Sequence, residues 1–335
     1  MDALSDVLGA VRLSGGVFLE AEFTAPWCIV ARVGPEDCRP HGPVPAHIIA
    51  YHYVVAGRLV LQLSGEEPVP VAAGEIVLLP RNDPHTLASA PGLRPVVVDA
   101  LVQPPASSGP ARLCYGGGGT PTQLICGFLG CEVPNNPLLA SLPSALRLAL
   151  GQGLAGAWID HSFRLAAEES AAEGGGSAIL LGRLAELLFV EAVRGYLASL
   201  PDDQTGWLAG VRDPVVGKAL ALLHTRAGEP WTTGALARQA GLSRSSFAER
   251  FRLLIGMPPM RYLAHWRMQL AAASLRQGRR SIAQIAGDVG YDSDAAFNRA
   301  FKRAYGQAPS TWRRRCRKAG DSNNAPSPGE PASGA

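Results

Sequence analysis

No run of about 18 uncharged apolar residues occurs in this 335-residue chain, so no membrane-spanning helix is expected. Residues 177–200 come nearest, but Arg183, Glu186, Glu191 and Arg194 interrupt them. The start, Met1-Asp2-Ala3-Leu4-Ser5-Asp6, lacks the basic opening of a signal peptide, so a cytoplasmic location is expected. No Cys-x-x-Cys occurs among Cys28, Cys38, Cys114, Cys126, Cys131 and Cys316, and a cytosolic chain is not expected to hold structural disulfides. Gly116 to Gly119 reads as a loop. No Gly-Lys-Ser/Thr follows it, which excludes a phosphate-binding loop. No cofactor is expected.

The composition, 47% hydrophobic, allows real cores in two or three domains. The net charge of +3 hides a split. Residues 213–319 carry 19 Lys and Arg against 6 Asp and Glu, a net +13, while the rest carries 12 against 22, a net −10. A basic segment of that size suits a phosphate-backbone partner.

Within it one unit is written twice. The first copy runs Leu236, Ala237, Ala240, Gly241, Ser243, Phe247, Phe251, Gly256, Pro259, Tyr262. The second runs Ile285, Ala286, Val289, Gly290, Ser293, Phe297, Phe301, Gly306, Pro309, Trp312. The offset is 49 residues up to the turn glycine and 50 after it. Each copy reads as helix–turn–helix: small residues at a helix crossing, a glycine ending the first helix, a serine capping the second, then a Phe stripe. Ser281 to Gln284 reads as a capping box, and Met260 to Gln277 as a connecting helix. A plain helical bundle would show the same stripe, so the basic charge decides for DNA.

Residues 214–315 resemble the AraC/XylS transcriptional regulators in the turn glycines, the Gly-x-x-Pro ends and the Trp312-Arg313 close. The resemblance implies that the second helix of each motif enters a major groove. Its readers would be Ser245, Ala248, Glu249 and Arg252 in one copy, and Asp294, Ala295, Asn298 and Arg299 in the other. Arginine suits guanine, asparagine adenine, glutamate a cytosine amine, and alanine a thymine methyl. Arg244, Lys302 and Arg303 would hold phosphates.

The N-terminal part carries short β signals at Val17–Phe23, Cys28–Val33, Ile48–Val55, Arg58–Leu63, Glu75–Leu79 and Arg94–Val102, as in an antiparallel sandwich or barrel. Gly74 to His85 resembles the second cupin motif, in which a glycine starts a strand, a proline ends it and a histidine sits at the barrel mouth. Tyr51-His52-Tyr53 resembles a strand with an inward histidine. His52, His85, Tyr51 and Tyr53 are the expected effector pocket, with His41 and His47 as further candidates. The full metal-binding cupin set is missing, so a metal is left unassigned and the histidines are expected to hydrogen-bond or line the pocket. Cys126 and Cys131 are either an oxidation switch or two buried small hydrophobes.

Helices are expected at Asn136–Leu150, Leu154–Ala172 and Ile179–Leu197. The apolar stripe of the third is buried against the strands or paired with a second copy of the chain. The expected plan is α+β: a cupin-like antiparallel β-barrel (1–135), a helical linker or dimerisation region (136–212), an all-α double helix–turn–helix domain (213–317, motifs near 233–254 and 281–304) and a disordered tail (318–335). It implies a sequence-specific transcriptional regulator with promoter DNA, an unknown small-molecule or redox signal, RNA polymerase and a homodimer as candidate partners. The rivals are a cupin metalloenzyme, such as a dioxygenase or isomerase, fused to a DNA-binding domain, and a nonspecific architectural DNA binder.

Overall fold

The computed structural model describes residues 3–11, 13–97, 101–103, 110–133, 136–150, 153–171, 177–201 and 204–322. The chain divides into two compact units, one spanning Leu8–Arg212 and the other running from Asp213 onward together with the residues up to Val7. Among the described residues, no helix is long and apolar enough to cross a membrane.

Helix α1 (Ala3–Ala10) opens the described chain. The first unit then holds β1 (Leu13–Thr24), β2 (Cys28–Ala31), β3 (His47–Ala56), β4 (Arg58–Leu63), β5 (Val69–Ala72), β6 (Glu75–Leu79), β7 (His85–Ala88), β8 (Ala111–Gly116), β9 (Pro121–Cys131) and β10 (Leu146–Ala149). Short helices α2 (Pro35–Cys38) and α3 (Pro137–Ser141) interrupt them. One sheet has the order β10-β6-β3-β9-β1-β8, the other β2-β7-β4-β5. The sheets do not join into a closed barrel; the unit is a cupin-like sandwich. Nor is it wholly antiparallel, because β8 runs parallel to β1 at the sheet edge. Inward residues such as Phe23, Trp27, Leu59, Leu61, Val77 and Leu87 fill its core, each no more than 2% exposed.

Three sequence expectations change here. Arg94–Val102 gives no strand among its described residues, only a bridge from Val96 to Ile29, and residues 98–100 lie outside the described ones. The expected helix from Asn136 shrinks to α3, because the chain turns at Leu142 and Leu146–Ala149 pairs with β6. The stretch holding Cys126 and Cys131, for which no strand was expected, is a long strand between β1 and β3.

Two long helices, α4 (Gly153–Ala171) and α5 (Ser177–Ser199), follow in the same unit, then α6 (Trp207–Arg212). Helix α5 lies against β1 with backbone nearly touching backbone. A Cβ at Gly15 would come within 2.5 Å of the Gly182 carbonyl oxygen, so only glycine fits. The α5 stripe is divided. Leu184, Leu188 and Leu197 are buried, whereas Leu180 and Leu187 point outward.

The second unit is helical: α7 (Pro214–Thr225), α8 (Thr233–Gln239), α9 (Arg244–Ile255), α10 (Pro259–Gln277), α11 (Ile282–Asp288), α12 (Asp294–Tyr305) and α13 (Pro309–Ser322). Local chemistry sets these boundaries. Ser243 accepts from the Ser246 amide, Ser293 from Ala296, and Ser281 with Gln284 closes a reciprocal capping box. The turn glycines Gly241 and Gly290 have φ of 71° and 77°, a region that costs a side chain energy. Phe247, Phe251, Phe297 and Phe301 are fully buried, and each burial stabilises by about 1.5–3 kcal/mol. Helix α13 runs to Ser322, past the expected end of the domain at 317. The remainder of the expected tail, 323–335, lies outside the described residues.

Candidate nucleic-acid interface and sensor site

Helices α9 and α12 occupy equivalent places in the two motifs. Phe247 and Phe251 face inward on one, Phe297 and Phe301 on the other. Helical geometry then turns the intervening residues outward. Arg244, Ser245, Glu249 and Arg252 are exposed on α9, and Ala248 is half-buried. Asp294, Ala295, Arg299, Lys302 and Arg303 are exposed on α12. Asn298 is half-buried, and its amide nitrogen donates one of its two hydrogens to the Asp294 carbonyl at 2.8 Å, which leaves the other hydrogen and Oδ1 for a base.

Sequence reasoning passed over three features of this unit. Arg250 turns away from the outward row and forks onto Asp213 at 2.6 and 2.9 Å. Asp213 also caps α7 through the Val215 and Val216 amides. Burial alone would raise its carboxyl, but Arg250 and the two amides outweigh it and hold it below the usual value. Arg267, midway along α10, faces inward to three carbonyls. Helix α13 presents Arg314, Arg315 and Arg317 beside the second motif; its basic run was the available signal.

In the first unit the two expected pocket histidines meet. His52 Nε2 and His85 Nε2 are 2.8 Å apart, and both rings are buried. His52 Nδ1 lies 3.0 Å from Cys126 Sγ, and His85 Nδ1 lies 2.9 Å from the Asp83 carbonyl. This sequence of contacts fixes every proton. A carbonyl only accepts, so His85 Nδ1 carries hydrogen. Neutral His85 then accepts at Nε2 from His52 Nε2–H, which leaves His52 Nδ1 to accept from the Cys126 thiol. Neutrality fits the electrostatics. Burial, with His85 adding to it, pushes His52 well below its ordinary pKa. Burial also lowers His85 against the opposing Asp83 contact. The Cys126 thiol is pushed up to about 12, by burial first and by Asp37 second.

The remaining expected pocket residues are placed elsewhere. Tyr51 and Tyr53 alternate with His52 along β3, so they emerge on the opposite face of the sheet. Tyr51 donates to the Gly16 carbonyl, Tyr53 to Asp160 on α4, and Phe163 packs edge-on against both rings. They dock a helix and do not line the pocket. His47 contacts the Pro80 carbonyl, and His41 packs edge-on against Phe128. Among the described residues no three His, Cys, Asp or Glu side chains converge as a metal site. The two imidazoles spend their facing nitrogens on each other and the thiol lies on the far side of His52, so these donors do not fit a cupin metal.

Cys126 and Cys131 are both buried, and burial raises both thiols. Five residues of extended strand separate them by about 16 Å. A disulfide needs Cα atoms within about 7 Å, so the two cannot bond while β9 keeps its pairing. A cavity of about 390 Å³ adjoins the buried chain, with Phe18, Ile29, Leu87 and Leu113 as apolar wall and His52, Cys126 and Asp37 as polar points.

The fold and the paired motifs define a class, a helix–turn–helix DNA-binding protein joined to a cupin. The cupin family profile matches residues 2–198, and a helix–turn–helix domain profile matches 236–315. The chain belongs to the AraC-like transcription regulators, in the branch with an N-terminal cupin. It is 32% identical to an AraC-like transcription regulator of Streptomyces antibioticus, over 94% of this chain and 99% of the relative. A second such regulator, from Streptomyces lividans, is 34% identical over 80% of this chain and 87% of its own length. The solved DNA-binding domain of AdpA, in complex with a target DNA, is 30% identical and covers 32% of this chain and 96% of that one, with a TM-score of 0.31.

Proposed function

We propose that this regulator acts in the cytoplasm, reads a directional promoter site with α9 and α12, and is switched by a signal sensed around His52, His85 and Cys126. The observation that supports the DNA half is the matched outward placement of Arg244, Ser245, Glu249 and Arg252 on one motif and Asp294, Ala295, Arg299 and Lys302 on the other. Glu249 and Asp294 argue against a purely nonspecific phosphate binder, which would gain nothing from carboxylates facing DNA. Arg252 and Arg299 are the proposed guanine readers; Arg244, Lys302 and Arg303 are the proposed phosphate contacts.

The signal is a small molecule occupying the adjoining cavity or an oxidant reaching Cys126. Either works only by favouring one conformation of the regulator over another. An enzymatic role has little support: the relatives carry the names of regulators. A homodimer through the outward Leu180 and Leu187 of α5, and contact with RNA polymerase, complete the proposal.

A nuclease footprint of the full chain on the DNA upstream of its own gene, at physiological salt, tests the DNA half. Two protected major-groove segments about one helical turn apart are expected. Uniform, salt-sensitive coating at every sequence would overturn it. The sensing half is tested by repeating the footprint after peroxide and with Cys126→Ser and Leu113→Trp variants. Unchanged binding and promoter output under every oxidant and cavity ligand tried would overturn that half.

A further inference from the structure

We propose that Arg267 sets the spacing at which the two helix–turn–helix motifs read DNA, a role that rests on the proposed sequence-specific reading by α9 and α12. Helix α10 connects the motifs, but it meets each through a glycine turn, at Gly256 and at Gly278, where φ is 78° and 71°. Packing fastens α10 to the second motif, where Met268, Ala271, Ala272 and Leu275 share a core with Ile285, Phe297 and Phe301. Arg267 supplies a second fastening from the middle of the helix. Its Nε donates to the Ala227 carbonyl at 2.7 Å, Nη2 to Glu229 at 2.7 Å and Nη1 to Gly290 at 3.1 Å. Ala227 to Glu229 is the segment that leads into α8 of the first motif. Gly290 is the turn of the second. One planar guanidinium therefore holds both motifs to the same helix.

The two segments also touch directly. A Cβ at Gly228 would lie 2.5 Å from the Asp288 carbonyl oxygen, and one at Gly290 would lie 2.4 Å from the Gly228 oxygen. Backbone meets backbone at this point, and the Arg267 guanidinium lies alongside, 6.0 Å from the Tyr291 ring centre. Glycine on both sides lets the segments close, and the arginine fork holds them closed. Lysine has the charge but a single ammonium, so it cannot satisfy three carbonyls in one plane.

Selection from a random duplex library tests this, with the full chain as wild type, Arg267→Lys, Arg267→Met and Gly228→Ala. The wild type is expected to recover two half-motifs at one fixed spacing. Arg267→Met is expected to recover the same half-motifs with the spacing spread over one or two neighbouring base pairs. Its affinity for the wild-type site should fall about tenfold, and its penalty for a one-base-pair insertion should shrink. Arg267→Lys should fall between. A loss of fold would lower affinity at every spacing alike, so the distribution of spacings separates positioning from stability. If Arg267→Met does not fold, Gly228→Ala, which separates the same segments and keeps the arginine, carries the test. A folded Arg267 or Gly228 variant that recovers the single wild-type spacing with the same insertion penalty would overturn the proposal. A wild type that recovers no sequence at all would overturn the reading on which it rests.

Discussion

Removing both imidazoles of the His52–His85 pair should cost less than the sum of removing each alone. His85→Leu strands His52 Nε2–H in a site where the ring is 2% exposed. A buried donor left without its partner costs about 1–3 kcal/mol. His52→Leu strands His85 Nε2 and leaves the Cys126 thiol without its acceptor. The thiol loss is small, because S–H is a weak donor, so this variant should cost about the same. The double variant removes donor and acceptor together and should be destabilised by about 1–3 kcal/mol less than the sum of the singles. Hydrogen exchange at the amides of β3 and β9 reads this locally, without interference from the helical unit. A loss of about 1–3 kcal/mol speeds exchange roughly 5- to 150-fold where these amides exchange by unfolding. Nitrogen NMR supplies a second check: His52 protonated at Nε2, His85 at Nδ1, both neutral at pH 7. Additive single-variant effects, or the same tautomer on both rings, would refute the assigned proton order.

Arg299→Ala should weaken specific binding by about 1–3 kcal/mol and relax preference at one base pair, whereas Lys302→Ala should weaken all sequences alike and reduce the salt slope by about one; titrations at several salt concentrations distinguish them. In the helical unit, burial brings His224 to about 3 from its ordinary value of 6.5. Its folded value is depressed, so its contribution is full above pH 6.5 and is lost as pH falls from 6.5 towards 3. The expected slope is about 1.4 kcal/mol per pH unit, and it should vanish in His224→Phe; equal pH slopes for the two proteins in urea unfolding would contradict it. Ser281→Ala removes one side of the α11 capping box and should cost about 1 kcal/mol in the same assay.

The helix–turn–helix unit was legible because its signals are local. Ser243, Ser281 and Ser293 cap helices three residues away, and the Phe pairs repeat within one helix. The cupin unit was only half legible. Strands β4 and β6 carry their boundaries in the sequence, but β9 was missed because its two sides are both covered. Its residues show no apolar–polar alternation, and Gly127 and Gly130 resemble loop punctuation when their partners on β1 and β3 are unknown. The same double burial hid the facing of Tyr51 and Tyr53. Next to an inward histidine they read as pocket residues, and only the presence of α4 on the other face explains two buried phenols there. The cupin motif pointed to His52 and His85 as pocket histidines and left open whether they hydrogen-bond or only line it; the facing of the two sheets brings them into contact. The third member of that contact, Cys126, stands 74 residues from His52 in sequence and follows from sheet register alone.

The two motifs share a scaffold but not an outward face: one exposes Arg244, Ser245, Glu249 and Arg252, the other Asp294, Ala295, Arg299 and Lys302. Under the proposed reading, a single chain of this kind has no internal two-fold axis, so the half of the site that one chain contacts has none either. On that proposal each such site carries an arrow. Turning that site end for end at the same distance from a gene would present the opposite flank of the protein to the transcription start, which makes orientation as well as distance a variable that mutation of a promoter can tune.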